Sequence, residues 1–150
     1  MDQLTPSTYF LITFFTALLL YYFVPFPLSI NVSLLQFIGI GLLLIALTLN
    51  TLAFQAFQKY ATPYAPFKHA KTLITTGIFA HSRNPVYLAL VIIQISFGFV
   101  LNSVLFFVSS MILFTLLNHT IIPNEEKMLN ESFGDEYVEY KERVGRWILL

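Results

Sequence analysis

The chain has 150 residues, 57% of them hydrophobic and 17% aromatic, with only eight basic and eight acidic side chains. A soluble domain is about a quarter charged, so an ordinary soluble globule is excluded. Residues 3–58 and 84–124 carry no formal charge, and uncharged apolar stretches of that length belong in a bilayer. Length allows one domain over residues 1–150, and the absence of cysteine excludes disulfides, thiolate metal sites and a cysteine nucleophile. Net charge is zero and no basic stripe with interleaved aromatics occurs, which sets nucleic-acid binding aside.

In chain order, residues 9–24 form a continuous apolar run that ends at Pro25-Phe26-Pro27, where two ring-locked residues stop a helix. No basic residue precedes the run and no small-residue cleavage site follows it, so it reads as a mature span and not a signal peptide. Residues 33–57 supply a second span. The stretch 85–122 is too long for one perpendicular helix, and Gly98 with the polar pair Asn102-Ser103 lies near its middle. A tight helical hairpin with arms 86–101 and 104–122 fits; a re-entrant hairpin is the competing reading. The expected fold is therefore all-α: a polytopic membrane bundle of about four transmembrane helices, with residues 1–58 giving two spans and 59–147 a core built on the hairpin.

Lys59, Lys68, Lys71 and Arg83 lie in the loop between the second and third spans, which has no acidic residue, whereas the other two connections are uncharged. Basic short loops stay in the cytoplasm, so this loop is expected on the cytosolic side of the inner (cytoplasmic) membrane. Two further spans return residues 123–150 to the same side. That tail reads as two short amphipathic helices. Pro123, Glu125 and Glu126 stand at the first helix's start, where acids suit the positive end, and Met128, Leu129 and Phe133 make its apolar stripe. Gly134 is a stop, and Asp135 opens a second helix in which Tyr137, Tyr140, Lys141 and Val144 recur at helical spacing. Trp147 beside Arg143 and Arg146 suggests the headgroup level, with the tail along the membrane surface.

Three constellations carry the polar chemistry. Residues 73–79, LITTGIF, lead to Arg83-Asn84-Pro85-Val86-Tyr87 at the start of the third span; this is either a juxtamembrane turn with a lipid-binding arginine or part of a site. Glu125-Glu126 follow the fourth span, as helix-dipole complements or as one wall of a pocket facing Arg83. Opposite charges walled by apolar helices would suit a zwitterionic ligand. Within the spans lie Gln36, Asn50, Gln55, Gln94, Asn118 and His119, which by default glue helices together, although His119, near the cytosolic end, could line a cavity or act as a base. His69, His81 and His119 lack metal-ligand spacing, so no metal site is expected.

In combination these pieces resemble the isoprenylcysteine carboxyl methyltransferase family, with its prokaryotic integral-membrane relatives and phospholipid N-methyltransferase cousins. The family pattern LVTxGxYxxxRHPxY, an apolar hairpin and EExxLxxxFGxEYxxYxxxVxR stands here as LITTGIFAHSRNPVY at 73–87 and EEKMLNESFGDEYVEYKERVGR at 125–146. The resemblance covers residues 62–147. It implies an integral-membrane enzyme that methylates a lipophilic or lipid acceptor with S-adenosylmethionine. Carried over position by position, the cofactor pocket would involve Lys71, Thr72, Leu73, Ile74, Phe79 where the family has tyrosine, Asn84, Pro85, Val86, Tyr87 and Glu125, with Tyr64 a weaker candidate beside adenine. Arg83 would meet the cofactor carboxylate, and Glu125 or Glu126 its ammonium or ribose hydroxyls.

The departures are informative. Asn84 replaces a histidine, VGR replaces VPR, and Ile121 stands where the isoprenylcysteine enzymes carry an arginine for the substrate carboxylate. Methyl transfer from a sulfonium is an in-line displacement that mainly requires alignment in a dry site. A carboxylate acceptor arrives ionised, whereas an amine or phenol must lose a proton, for which His119 or a glutamate would serve. Rival readings are a membrane reductase using NADPH, whose sterol-reductase members share an FGxxYxxY tail, and a non-catalytic lipid-binding membrane protein.

Overall fold

The computed structural model describes residues 4–24, 26–28, 32–62 and 71–148. Among them every regular element is helical: α1 (Pro6–Phe23), α2 (Val32–Lys59), a 3-10 turn (Gly77–Ala80), α3 (Pro85–Val100), α4 (Val104–Leu116), a π turn (Leu117–Ile121), α5 (Ile122–Phe133) and α6 (Asp135–Arg143). The expected Tyr64, Lys68 and His69 lie outside the described residues. Three helices, Pro6–Phe23, Val32–Lys59 and Val104–Phe133, are long and apolar enough to cross a membrane. The hairpin arm α3 is shorter, 16 residues, or about 24 Å at 1.5 Å per residue.

Local chemistry sets the helix ends. Pro6 occupies the first turn of α1, where its missing N–H costs nothing, and the Thr5 hydroxyl accepts from the Thr8 amide at 3.3 Å. Asn102 turns the hairpin with φ +50°, a conformation that asparagine tolerates better than most residues. Its carboxamide oxygen accepts from the Leu28 amide at 3.1 Å, and the Val104 amide donates to the Phe26 carbonyl at 3.0 Å. The two uncharged connections are thereby fastened together at one end of the bundle, opposite the end bearing the charged segments.

Helix α3 sits at the centre. On α2 the buried positions Gly39, Ala46 and Ala53 recur every seven residues, a seam of small side chains that lets backbones approach closely. A Cβ on Gly39 would stand 2.7 Å from the Ser96 carbonyl oxygen of α3. On the other side, α1 meets the hairpin through Phe14, whose ring is edge-on to Phe97 and Phe106 at 4.8 and 5.5 Å. The Gln94 amide donates to the Thr13 hydroxyl at 2.7 Å, and the Ser109 hydroxyl donates to the Thr13 carbonyl at 2.8 Å. Gln94 is thus the interior glue expected of polar groups in a bundle. Gln36 and Gln55 instead are exposed, each within about a turn of an end of α2.

The tail departs from expectation at its start. Pro123 does not start a new helix, because the chain runs on in helical conformation from α4 into α5 through the π turn. A proline ring clashes with the carbonyl four residues back, and widening the preceding turn to i→i+5 spacing relieves that clash without ending the helix. Glu125 and Glu126 therefore do not complement a free helix start. Gly134 does end α5, at φ +51°. The apolar faces of α5 and α6 pack on the loop before α3: Leu73, Tyr137, Tyr140 and Val144 form one buried cluster flanked by Leu129 and Phe133.

Candidate functional site

The charged end of the bundle brings the two sequence-distant segments together. Pro85 occupies the first turn of α3 and places Tyr87 on the inner face, in a buried cluster with Val91, Leu113, Leu117, Ile121 and Ile122. From α5, Glu125 reaches the same place, and the Tyr87 phenol donates to its Oε1 at 2.7 Å. Among described residues Glu125 has no cationic partner within salt-bridge distance, because its neighbour takes both arginines.

Glu126 lies between Arg83 and Arg146. Its Oε1 accepts from Arg83 Nη1 at 2.8 Å and Arg146 Nε at 3.0 Å, and its Oε2 from Arg146 Nη2 at 2.6 Å. Arg83 Nη1 also donates to the Tyr137 hydroxyl at 3.0 Å, whereas its Nε is buried and unpartnered among described residues. Arg146 Nη1 and the Trp147 indole N–H both donate to Asn118 Oδ1, at 3.1 and 3.0 Å. The π turn absorbs one residue, so the eight positions from Asn118 to Glu126 amount to nearly two full turns, and both side chains face Arg146.

The backbone ties the same parts. The Arg83 amide donates to the Gly145 carbonyl at 3.1 Å, and Asn84 Nδ2 donates to the Arg146 carbonyl at 2.9 Å. Tyr140 donates from its hydroxyl to the Phe79 carbonyl at 2.7 Å. Burial pushes the Tyr140 phenol above its ordinary range, against the lowering field of Arg83. Burial likewise raises Tyr137, again opposed by Arg83. The hydrogen bonds to Glu126 hold the Arg146 guanidinium above its usual value, despite partial burial.

The remaining expected positions divide. Leu73 and Ile74 are buried, the first under α6 and the second with Phe79 and Ala53 beside the end of α2. The Phe79 ring lies edge-on to Phe57 at 5.4 Å. Val86 touches both the Tyr87 and Phe79 clusters, and Lys71 and Thr72 are exposed beside the buried pair. His119 is exposed on the π turn, so the geometry brings Arg83, Asn84, Tyr87, Glu125 and Glu126 together and leaves the His119 side chain outside. Among the described residues no three His, Asp or Glu side chains converge as a metal site.

Arg146, Trp147 and Asn118 were missed as parts of this assembly. Arg146 and Trp147 read as headgroup residues and Asn118 as helix glue; instead they turn inward onto one another, because the Glu126 carboxylate and the Asn118 oxygen offer acceptors there. A signal existed in the glutamate pair, which had only one arginine assigned to it.

Comparison with known proteins bears on this arrangement. The family model described as phospholipid methyltransferase matches residues 34–136, which includes Tyr87, Glu125 and the hairpin between them. The chain is also similar to a protein of Haemophilus influenzae described as uncharacterized, 35% identical over 63 residues, which is 42% of this chain and all of that protein. With apolar helices long enough to span a bilayer and a match over more than half its length, this chain belongs to the phospholipid methyltransferase family of integral membrane proteins.

Proposed function

We propose that the chain is an S-adenosylmethionine-dependent methyltransferase acting on a lipophilic acceptor where the inner membrane meets the cytosol. The observation that carries this reading is the 2.7 Å hydrogen bond between Tyr87 and Glu125, two residues 38 positions apart joined at an apolar site beside a cluster of arginines. The residues present fit the cofactor: a carboxylate without a cation partner among the described residues for its ammonium or ribose hydroxyls, an unpartnered arginine Nε for its carboxylate, and apolar surroundings from Val86 and the cluster around Tyr87. When bound, the cofactor supplies the electrophilic methyl group, and the protein's part is alignment and exclusion of water. Glu125, held by Tyr87, orients the cofactor's polar end; Pro85 and Asn84 fix the start of α3 and hence Tyr87.

The acceptor is proposed to enter sideways from lipid, and a phospholipid amine is the favoured class. The family match supports it, as does Ile121: the position that carries a carboxylate-binding arginine in isoprenylcysteine enzymes is here an isoleucine, 1% exposed in the apolar cluster. Calorimetry of the purified chain with S-adenosylmethionine and its demethylated product tests the cofactor. Binding is expected, with Glu125→Ala and Tyr87→Phe weakening it while both variants stay folded. No heat with either ligand refutes the reading, and saturable binding of NADPH in its place would favour a reductase. Transfer of label from methyl-tritiated cofactor into a lipid extract identifies the acceptor, and binding without any transfer would favour a non-catalytic protein.

A further inference from the structure

Among the described residues Arg146 makes no ion pair with Glu125, yet its contacts reach both the segment that carries Glu125 and the one that carries Tyr87. Toward α5 its guanidinium spans both oxygens of Glu126, the residue next to Glu125, and the carboxamide oxygen of Asn118. Toward α3 its carbonyl holds the Asn84 side chain, the preceding Gly145 carbonyl holds the Arg83 amide, and Glu126 passes the connection on to the Arg83 guanidinium. Between α3 and α5 at this end, the Tyr87 to Glu125 hydrogen bond is the inner link, and the Arg146 assembly is an outer one. Three of its donors, Nε, Nη1 and Nη2, are committed in a forked geometry that a lysine, with one point of charge, does not reproduce.

We infer that Arg146 is a positioning residue: as a cross-brace between the start of α3 and α5, it sets the separation at which Tyr87 and Glu125 meet their ligand. This rests on the methyl-transfer reading above for the identity of that ligand, but the brace itself does not. Trp147 supplies the contrast. It shares Asn118 with Arg146, lies over Phe114 at 4.6 Å and packs against the buried cluster that holds Tyr87, so it contributes packing without linking to Arg83 or Glu126.

The full chain in nanodiscs of phosphatidylethanolamine and phosphatidylglycerol is suited to the test, with Arg146→Gln, Arg146→Lys and Trp147→Phe compared with the wild type. Two quantities are read well below each variant's melting temperature: hydrogen exchange at the Arg83 amide and the dissociation constant for S-adenosylhomocysteine. In Arg146→Gln, exchange at Arg83 is expected to quicken about tenfold and affinity to fall about tenfold, the scale of losing one member of a partly buried charge cluster. Arg146→Lys lies between it and the wild type, and Trp147→Phe, which loses packing but not the brace, keeps exchange at Arg83 near the wild type. Should Arg146→Gln not fold, Arg146→Lys carries both measurements.

Unchanged protection at Arg83 overturns the brace. Lost protection with unchanged affinity overturns its role in positioning, and losses that simply track the melting temperature, Trp147→Phe included, reduce Arg146 to general packing. A wild-type chain that binds no S-adenosylhomocysteine refutes the methyl-transfer reading instead, and the exchange comparison still decides whether Arg146 holds Arg83.

Discussion

Replacing Glu126 by glutamine removes one negative charge from between two guanidinium groups while keeping the side chain's shape. The Arg83 side chain is 10% exposed, that of Glu126 18% and that of Arg146 32%, so the cluster is largely but not wholly withdrawn from water. Breaking a buried ion pair costs about 3–5 kcal/mol because an uncompensated charge remains, whereas an exposed pair is worth roughly 0–1 kcal/mol. Arg146's partial access to solvent and Arg83's remaining bond to Tyr137 place the expected loss at about 2–3 kcal/mol, between the exposed and the buried ranges. For a domain of this size that corresponds to a fall in melting temperature of roughly 4–12 °C. Circular dichroism of the purified chain in detergent reads it directly, at low and at high salt. A loss under about 1 kcal/mol, or one that disappears in molar salt, would show the cluster to be a screened surface pair and refute the reasoning.

Gly39→Ala is expected to destabilise the bundle by about 1–3 kcal/mol, since the new methyl group would stand 2.7 Å from the Ser96 carbonyl oxygen and 2.9 Å from the Val100 amide nitrogen; melting in detergent detects it, and an unchanged midpoint would mean that α2 does not pack so closely. Gln94→Leu removes the link from α3 to Thr13 and Ser109, and unfolding in denaturing detergent should show a loss of about 1 kcal/mol. Tyr140→Phe should cost about 1 kcal/mol at neutral pH. The wild-type phenol is held protonated above its ordinary value, so the bond to Phe79 is present below that value and is lost as pH rises through the raised one. Alkaline titration followed by near-ultraviolet absorbance should therefore show late-ionising tyrosines, one of which the variant lacks. His119→Ala, on the exposed side of the π turn, is expected to leave S-adenosylmethionine affinity unchanged, and a clear loss by calorimetry would bring that side chain back into the site.

The legible part of the fold was the part written in charge and in turn-forming residues. Uncharged runs, the Asn102-Ser103 turn and Gly134 marked the helices and their ends to within a few residues, because burial in lipid and left-handed backbone leave few alternatives. Tyr87 and Glu125 were legible through their motif. The continuation of the helix past Pro123 was not, since proline usually halts a helix and a single wide turn has no composition of its own. Nor was the inward turn of Arg146 and Trp147: near a membrane both residues suit the headgroups equally well, and only the distant acceptors on Asn118 and Glu126 decide which way they go. Of the tail's expected apolar stripe, Leu129 and Phe133 do pack inward, but what they pack on, Leu73 and its neighbours, required the third dimension.

The wide turn at Leu117–Ile121 makes the site depend on counting. Each residue added to or removed from a helix rotates everything downstream by about 100°. Inserting one more residue in the α turns on either side of it would leave both motifs untouched while swinging the two glutamates around to a different side of the rod, whereas deleting one at the wide turn would only close it to α spacing and bring back the clash with the Pro123 ring. Grafts and chimaeras that exchange this hairpin must therefore preserve its length to the residue, even where its lettering is free to drift.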